Sequence, residues 1–187
     1  MYRSYPFETR DIAEAIIAEL ESAPEPQGEG STALWTARIK SGIARLVRDG
    51  TRCCHSGREY EICLDVTVWR GTNLLLGVES EWAYNRVDEI RKDFLKLLGC
   101  ASSPLKLMIT DSCGTYSDLY SKTMLDMLRG HEHTFGVRYL WFDMHGDRKG
   151  GGWVELREWT ATDFGVQKMP PSWEDKGQLK FQFLSPG

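Results

Sequence analysis

The chain has 187 residues, 41% of them hydrophobic and 27% charged, with a formal net charge of −4. That length and make-up suit one soluble globular domain with a proper core, and the acidic balance excludes a global pull toward nucleic acid, so any such binding needs a local basic surface. No apolar run approaches the roughly 18 residues that span a bilayer, which argues against a membrane partner.

The opening Met1-Tyr-Arg-Ser-Tyr-Pro-Phe-Glu8 has no apolar signal core, and the expected location is cytoplasmic. Five cysteines (53, 54, 63, 100 and 113) are odd in number and lack C-x-x-C spacing. They read as reduced thiols, not as a disulfide framework.

Residues 11–21 carry Ile12, Ile16 and Leu20 at helical spacing, with Ala13 and Ile17 alongside. Residues 22–30, Ser-Ala-Pro-Glu-Pro-Gln-Gly-Glu-Gly, form a linker of turn formers. Ser31 or Thr32 can cap a second helix from Ala33 to about Arg48, with Trp35, Ile39, Ile43 and Leu46 as its apolar stripe. Between Arg38 and Arg58 there are six Lys or Arg and one acid, Asp49. This run is either a solvated face or a phosphate-contacting surface, and Arg38, Arg45, Arg48 and Arg58 are its candidate nucleic-acid contacts.

A β-hairpin is expected next, Tyr60–Trp69 against Leu74–Trp82. Alternation puts Ile62, Leu64, Val66 and Val68 on one face, with Glu61, Asp65 and Thr67 on the other; Leu74, Leu76 and Val78 then oppose Glu79 and Glu81. A three-residue loop, Gly71-Thr72-Asn73 with Asn73 left-handed, sets Asp65 opposite Glu79. Like charges across a sheet are destabilising. Hard oxygen ligands meeting there make sense around a divalent cation, although a solvated polar face would also carry such residues. Asp65, Glu79 and Glu81 are therefore expected to converge on one coordination sphere.

Asn85 can cap a third helix running to Leu98 and ended by Gly99, with Val87, Ile90, Phe94, Leu97 and Leu98 inward and Arg91, Lys92 and Lys96 adding positive charge. Leu105–Thr110 reads as a buried strand, about Tyr116–Arg129 as a helix, and Val137–Met144 as a strand reached by a parallel crossover. A glycine-rich turn, His145–Gly152 with Arg148 and Lys149, leads to a strand over Trp153–Trp159.

This order, and the acids on the hairpin, resemble the restriction-endonuclease-like, or PD-(D/E)xK, nuclease superfamily over about residues 33–144. Asp65 matches the first acid, preceded by Leu64 where proline is usual. Glu79-Ser80-Glu81 matches the second element in its E-x-E form, followed by Trp82. The fold so implied is α/β, a mixed β-sheet flanked by helices in αβββαβαβ order. One domain would span 1–187, with the helix at 11–21, the linker at 22–30, the nuclease-like core at about 33–144, and a C-terminal hairpin and tail at 145–187.

The resemblance implies phosphodiester hydrolysis by a Mg²⁺-dependent (or Mn²⁺-dependent) endonuclease acting on DNA, with dimerisation allowing two sites to cut two strands. Asp65, Glu79 and the Ser80 carbonyl would hold the cation. Glu81 stands where lysine is usual and would act as general base or bind a second cation. A migrated lysine is the other solution, with Lys92 the candidate and Arg91 second. The alternative function is a catalytically inactive nuclease-fold protein serving as a nucleic-acid-binding or assembly module, favoured by the missing lysine and a pI near 5.6. Neither His131-Glu132-His133 nor Cys53-Cys54-His55 has zinc-site spacing, and no Walker loop, G-x-G-x-x-G or G-x-S-x-G is present.

Overall fold

Helical periodicity builds the first layer. In the computed structural model, which describes residues 7–25, 31–48, 50–54, 64–82, 86–100, 103–146, 151–162, 165–169 and 178–184, helix α1 (Thr9–Leu20) buries Ile12, Ala13, Ile16, Ile17 and Leu20. Helix α2 (Ser31–Ala44) buries Ile39, Gly42 and Ile43 against it. A Cβ at Gly42 would lie 2.8 Å from Ile16 Cα, so the two backbones meet where only glycine fits. Helix α2 ends at Ala44, short of the expected Arg48. Leu46 N–H bonds to Ile43 O and Val47 N–H to Ala44 O, tightening the chain into an i→i+3 turn.

The strands are β1 (Arg52–Cys54), β2 (Val66–Arg70), β3 (Asn73–Glu81), β4 (Leu105–Thr110), β5 (Arg138–Gly146), β6 (Gly151–Thr162), β7 (Gly165–Met169) and β8 (Gln178–Gln182). They form one eight-stranded mixed sheet in the order β1-β2-β3-β4-β5-β6-β7, with β8 also paired to β6. Neighbours β1, β2 and β3 are antiparallel, β3, β4 and β5 are parallel, and β6 returns antiparallel to β5. Helix α3 (Val87–Gly99) and helix α4 (Ser117–Arg129) make the two crossovers. The fold is therefore α/β, a mixed sheet flanked by helices.

Helices divide between the two faces. Residues Ile12 to Leu20, Ile39 and Ile43 pack with Val66, Val68, Leu76, Val78, Leu107, Ile109 and Phe142. Ile90, Phe94, Leu97, Tyr120, Met124 and Leu128 pack with Met108, Tyr139, Trp141 and Trp159 on the other side. Six of six residues in β4 are buried, as its apolar run requires of a strand covered on both faces. The hairpin face expected to be half solvated is covered too: Thr67 and Glu79 are both about 1% exposed. Strand β1 takes the place of the first strand in the expected αβββαβαβ order, for which no range was expected, and β7 and β8 were not expected; residues 60–63 of the expected first hairpin strand lie outside the described residues, as do Arg58 of the basic run, the cap Asn85 and the loop residues Arg148 and Lys149.

One buried ion pair fastens α1 to the sheet. Arg138 Nε donates to Glu158 Oε1 at 2.7 Å and Arg138 Nη2 to Glu158 Oε2 at 3.0 Å. Thr9 at the start of α1 bridges the same pair, accepting from Arg138 Nη2 and donating to Glu158 Oε2 at 3.3 Å.

Candidate functional site

Hairpin register brings the first two acids together. Strands β2 and β3 pair Val66↔Val78 and Val68↔Leu76, then Trp69↔Leu74 and Arg70↔Asn73. The ladder ends at Val66↔Val78, one pair short of the expected Asp65–Glu79 opposition, and the Asp65 charge acts on Glu79 from the bend before it. The turn differs too. The connection has two residues, Gly71 and Thr72, and the left-handed one is Gly71, at φ 58°. A bulge that leaves Leu75 without an opposite residue supplies the shift that the third loop residue was to give.

Alternation also breaks at Asp65, which sits in a bend. Leu64 packs with the α3 and α4 side chains, whereas Val66 and Val68 pack with α1 and α2. Leu74 likewise joins the α3 and α4 side, apart from Leu76 and Val78. A regular strand would have kept each set together. The bend turns the Asp65 carboxylate onto Ser80, and Oδ2 accepts from Ser80 N at 2.8 Å and from Ser80 Oγ at 2.7 Å.

Glu79 is buried under α3. Lys96 Nζ lies 3.2 Å from Glu79 Oε2 and 2.7 Å from Asp93 Oδ1, while Glu79 Oε1 has no hydrogen-bond partner among the described residues. Burial, with the Asp65 charge behind it, pushes the Glu79 carboxyl up to about 8 even though Lys96 pulls the other way. For Lys96, burial opposes the charged form, but Asp93 and Glu79 outweigh it and hold the ammonium above its ordinary value. The group is thus a pair of carboxylates, Glu79 and Asp93, on one lysine, with the Asp65 charge acting on Glu79 from the other side.

Asp93 and Lys96 were not expected here. Asp93 stands three residues after Ile90 and four before Leu97, on the stripe that α3 turns to the sheet, and a carboxylate at such a position was the readable signal. Lys92 is corrected. At about 100° per residue it lies roughly 200° round the helix from Ile90, and its side chain is 68% exposed and paired with Glu89 at 3.3 Å. Arg91 pairs with Asp88 at 3.1 Å on the outside of the same helix.

Glu81 ends β3, half-buried and beside Thr110 in the register. Among the described residues no group of three or more His, Cys, Asp or Glu side chains is arranged to hold a metal ion. Asp65, Glu79 and Glu81 therefore do not close into the single coordination sphere that was expected. Asp65 with Glu79 remains a fit for Mg²⁺, which takes one or two carboxylates and keeps several waters. The orphaned Glu79 Oε1 and the mutual repulsion of the two acids are what a cation would relieve.

The basic residues are mostly engaged elsewhere. Arg38 donates to Leu20 O at 3.5 Å and to Pro24 O, beneath the C-terminal end of α1. Its guanidinium carbon lies 5.9 Å from the Phe183 ring centre, and burial lowers its pKa. Arg45 pairs with Glu19 of α1 at 2.5 Å. Arg48 is exposed, in a turn closed by Thr51. The Arg38 and Arg45 contacts tie α2 to α1. His133 bonds to Tyr139 Oη at 2.8 Å and to Leu128 O at 2.5 Å, a structural role. Trp69 Nε1 donates to Thr67 Oγ1 at 2.8 Å, so its polar edge is turned back onto its own strand.

Family models, curated proteins and solved structures were all compared with this chain, and none matches.

Proposed function

We propose that this chain is a metal-dependent nuclease of the restriction-endonuclease-like superfamily, hydrolysing phosphodiester bonds in DNA. The observation that carries the reading is Glu79: a buried carboxylate with one oxygen unpartnered, under the influence of the Asp65 charge, and touched by a single lysine from the following helix. The element order α2, β1, β2, β3, α3, β4, α4, β5 supports it as well. That is the αβββαβαβ succession that the resemblance implies.

Asp65 and Glu79 are the residues that would hold Mg²⁺ or Mn²⁺, and the cation, when bound, supplies charge to stabilise the transition state and acidifies a water. Lys96 takes the part of the lysine missing from the E-x-E element. Its long arm reaches Glu79 from the flank of α3, where an ammonium can orient the attacking water and balance its negative charge. Asp93 fixes that ammonium from the preceding turn at 2.7 Å. Glu81 is left to accept a proton near the mouth of the site.

A non-catalytic binding or assembly module is the second reading, and one observation favours it. Lys96 between Glu79 and Asp93 already offsets part of the acidic charge with no ion.

Calorimetric titration with Mg²⁺ and Mn²⁺, followed by cleavage assays on plasmid and linear DNA, separates the two. The nuclease binds a divalent ion, cuts in its presence, and loses both properties in Asp65→Asn and Glu79→Gln. No heat of binding and no cleavage in either metal would leave the module.

A further inference from the structure

Outside the carboxylates and Lys96, a line of hydrogen bonds runs from a tryptophan to Asp65. Trp82 Nε1 is 3.0 Å from Thr36 Oγ1, Thr36 Oγ1 is 3.3 Å from Ser80 Oγ, and Ser80 Oγ is 2.7 Å from Asp65 Oδ2. Chemistry gives the line one direction. An indole N–H can only donate and an ionised carboxylate can only accept. Thr36 therefore accepts from Trp82 and spends its single proton on Ser80, and Ser80 spends its proton on Asp65.

Ser80 N–H reaches the same oxygen at 2.8 Å. Both bonds thus fall on Oδ2, and Oδ1 stays out of the relay. The Ser80 hydroxyl bond has the short length of a charge-assisted one.

The far end is anchored by aromatic packing. The Trp82 ring lies 5.2 Å from Trp35, centre to centre, and Trp35 meets Phe183 edge-on at 5.3 Å. Trp35 and Thr36 are neighbours on α2. One helix therefore both packs the indole and receives its N–H.

We infer that Thr36 and Trp82 are positioning residues for Asp65: the relay holds its carboxylate by Oδ2 in one orientation and presents Oδ1 to a divalent cation. The assignment of that cation rests on the nuclease reading; the relay itself does not. Second-shell partners of metal-binding carboxylates commonly change metal affinity about 10–100-fold.

Two measurements test this. The first is a ¹⁵N–¹H spectrum of the indole groups, with Trp82→Phe identifying its resonance. Asp65→Asn, which removes the charge at the end of the line, is expected to move the Trp82 Nε1–H signal in the otherwise wild-type chain and to leave it in place in a Ser80→Ala background, where the line is cut. A signal indifferent to Asp65→Asn, or equally shifted with Ser80 removed, would overturn the relay.

The second is Mg²⁺ titration by calorimetry of folded variants. Thr36→Val is expected to weaken binding about tenfold and Thr36→Ser to restore it; wild-type affinity in Thr36→Val would overturn the positioning role. If the wild type binds no Mg²⁺ while the resonance still follows Asp65 through Ser80, the relay stands and the nuclease reading falls.

Discussion

Glu79 and Glu158 are both strand glutamates buried from solvent, and each meets one cation. Glu158 is saturated. Arg138 grips both of its oxygens in a fork, and Thr9 closes the remaining side. Glu79 has Lys96 on one oxygen and nothing on the other among the described residues, and the Asp65 charge stands nearby. A planar guanidinium matches a carboxylate atom for atom, whereas an ammonium is a point charge on a flexible arm. The first pair is a rivet between α1 and the sheet. The second is kept short of satisfaction, with an oxygen and a charge left for something else.

The sharpest way to break this contrast is to remove the rivet's cation. Arg138→Met should cost about 3–5 kcal/mol in urea unfolding, because it strands a buried carboxylate, and should leave Mg²⁺ affinity of the folded fraction unchanged. At the other site the large effect should be on activity. Glu79→Gln and Lys96→Met should each lower cleavage at least about 100-fold, near 2.7 kcal/mol of transition-state stabilisation, with stability within about 1 kcal/mol of wild type in Glu79→Gln and lowered in Lys96→Met, which leaves the buried Asp93 without its cation.

The pH dependence of metal-free stability comes next. Glu79 titrates near 8 in the folded chain against an ordinary value of 4.5. Between those values the folded state holds a proton that the unfolded state has lost, so stability falls as pH rises. A decline of about 2 kcal/mol from about pH 5 to about pH 8 is expected, less than the full shift implies because Lys96 adjusts with its partner. It should vanish in Glu79→Gln and be reversed by saturating Mg²⁺; an equal decline in Glu79→Gln would assign the titration to another group. Smallest of all is Lys92→Ala, expected to change stability by less than about 0.5 kcal/mol and cleavage not at all.

Much of the fold is written in residue spacing. The α1 stripe, the apolar run of β4 and the inward face of α3 are all periodic patterns, and all were readable. So was the pairing of Val66 with Val78 and of Val68 with Leu76, because residues alternate in pairs along a strand. What escaped depends on three-dimensional detail. The bend at Asp65 and the bulge at Leu75 are departures from regularity that periodicity averages away. Lys96 was counted as one more surface cation, since a long side chain at the flank of a helix can turn inward or outward. Only Asp93, an acid placed on the buried stripe, distinguished its side of α3 from that of Lys92. In the basic run at 38–48, charge counting does not reveal that Arg38 and Arg45 contact the carbonyls and acid of α1.

The extra residue at Leu75 also decides where this hairpin can change length. Deleting Leu75 would merge the two halves of the ladder into one regular hairpin and keep Val66 paired with Val78, next to both acids. Deleting a residue between Leu76 and Glu79 would slide the acid by one place and turn it to the opposite face of the sheet. The tip of the hairpin is thus tolerant of gain and loss, while its base behaves as a reading frame in which a single missing residue silences the site.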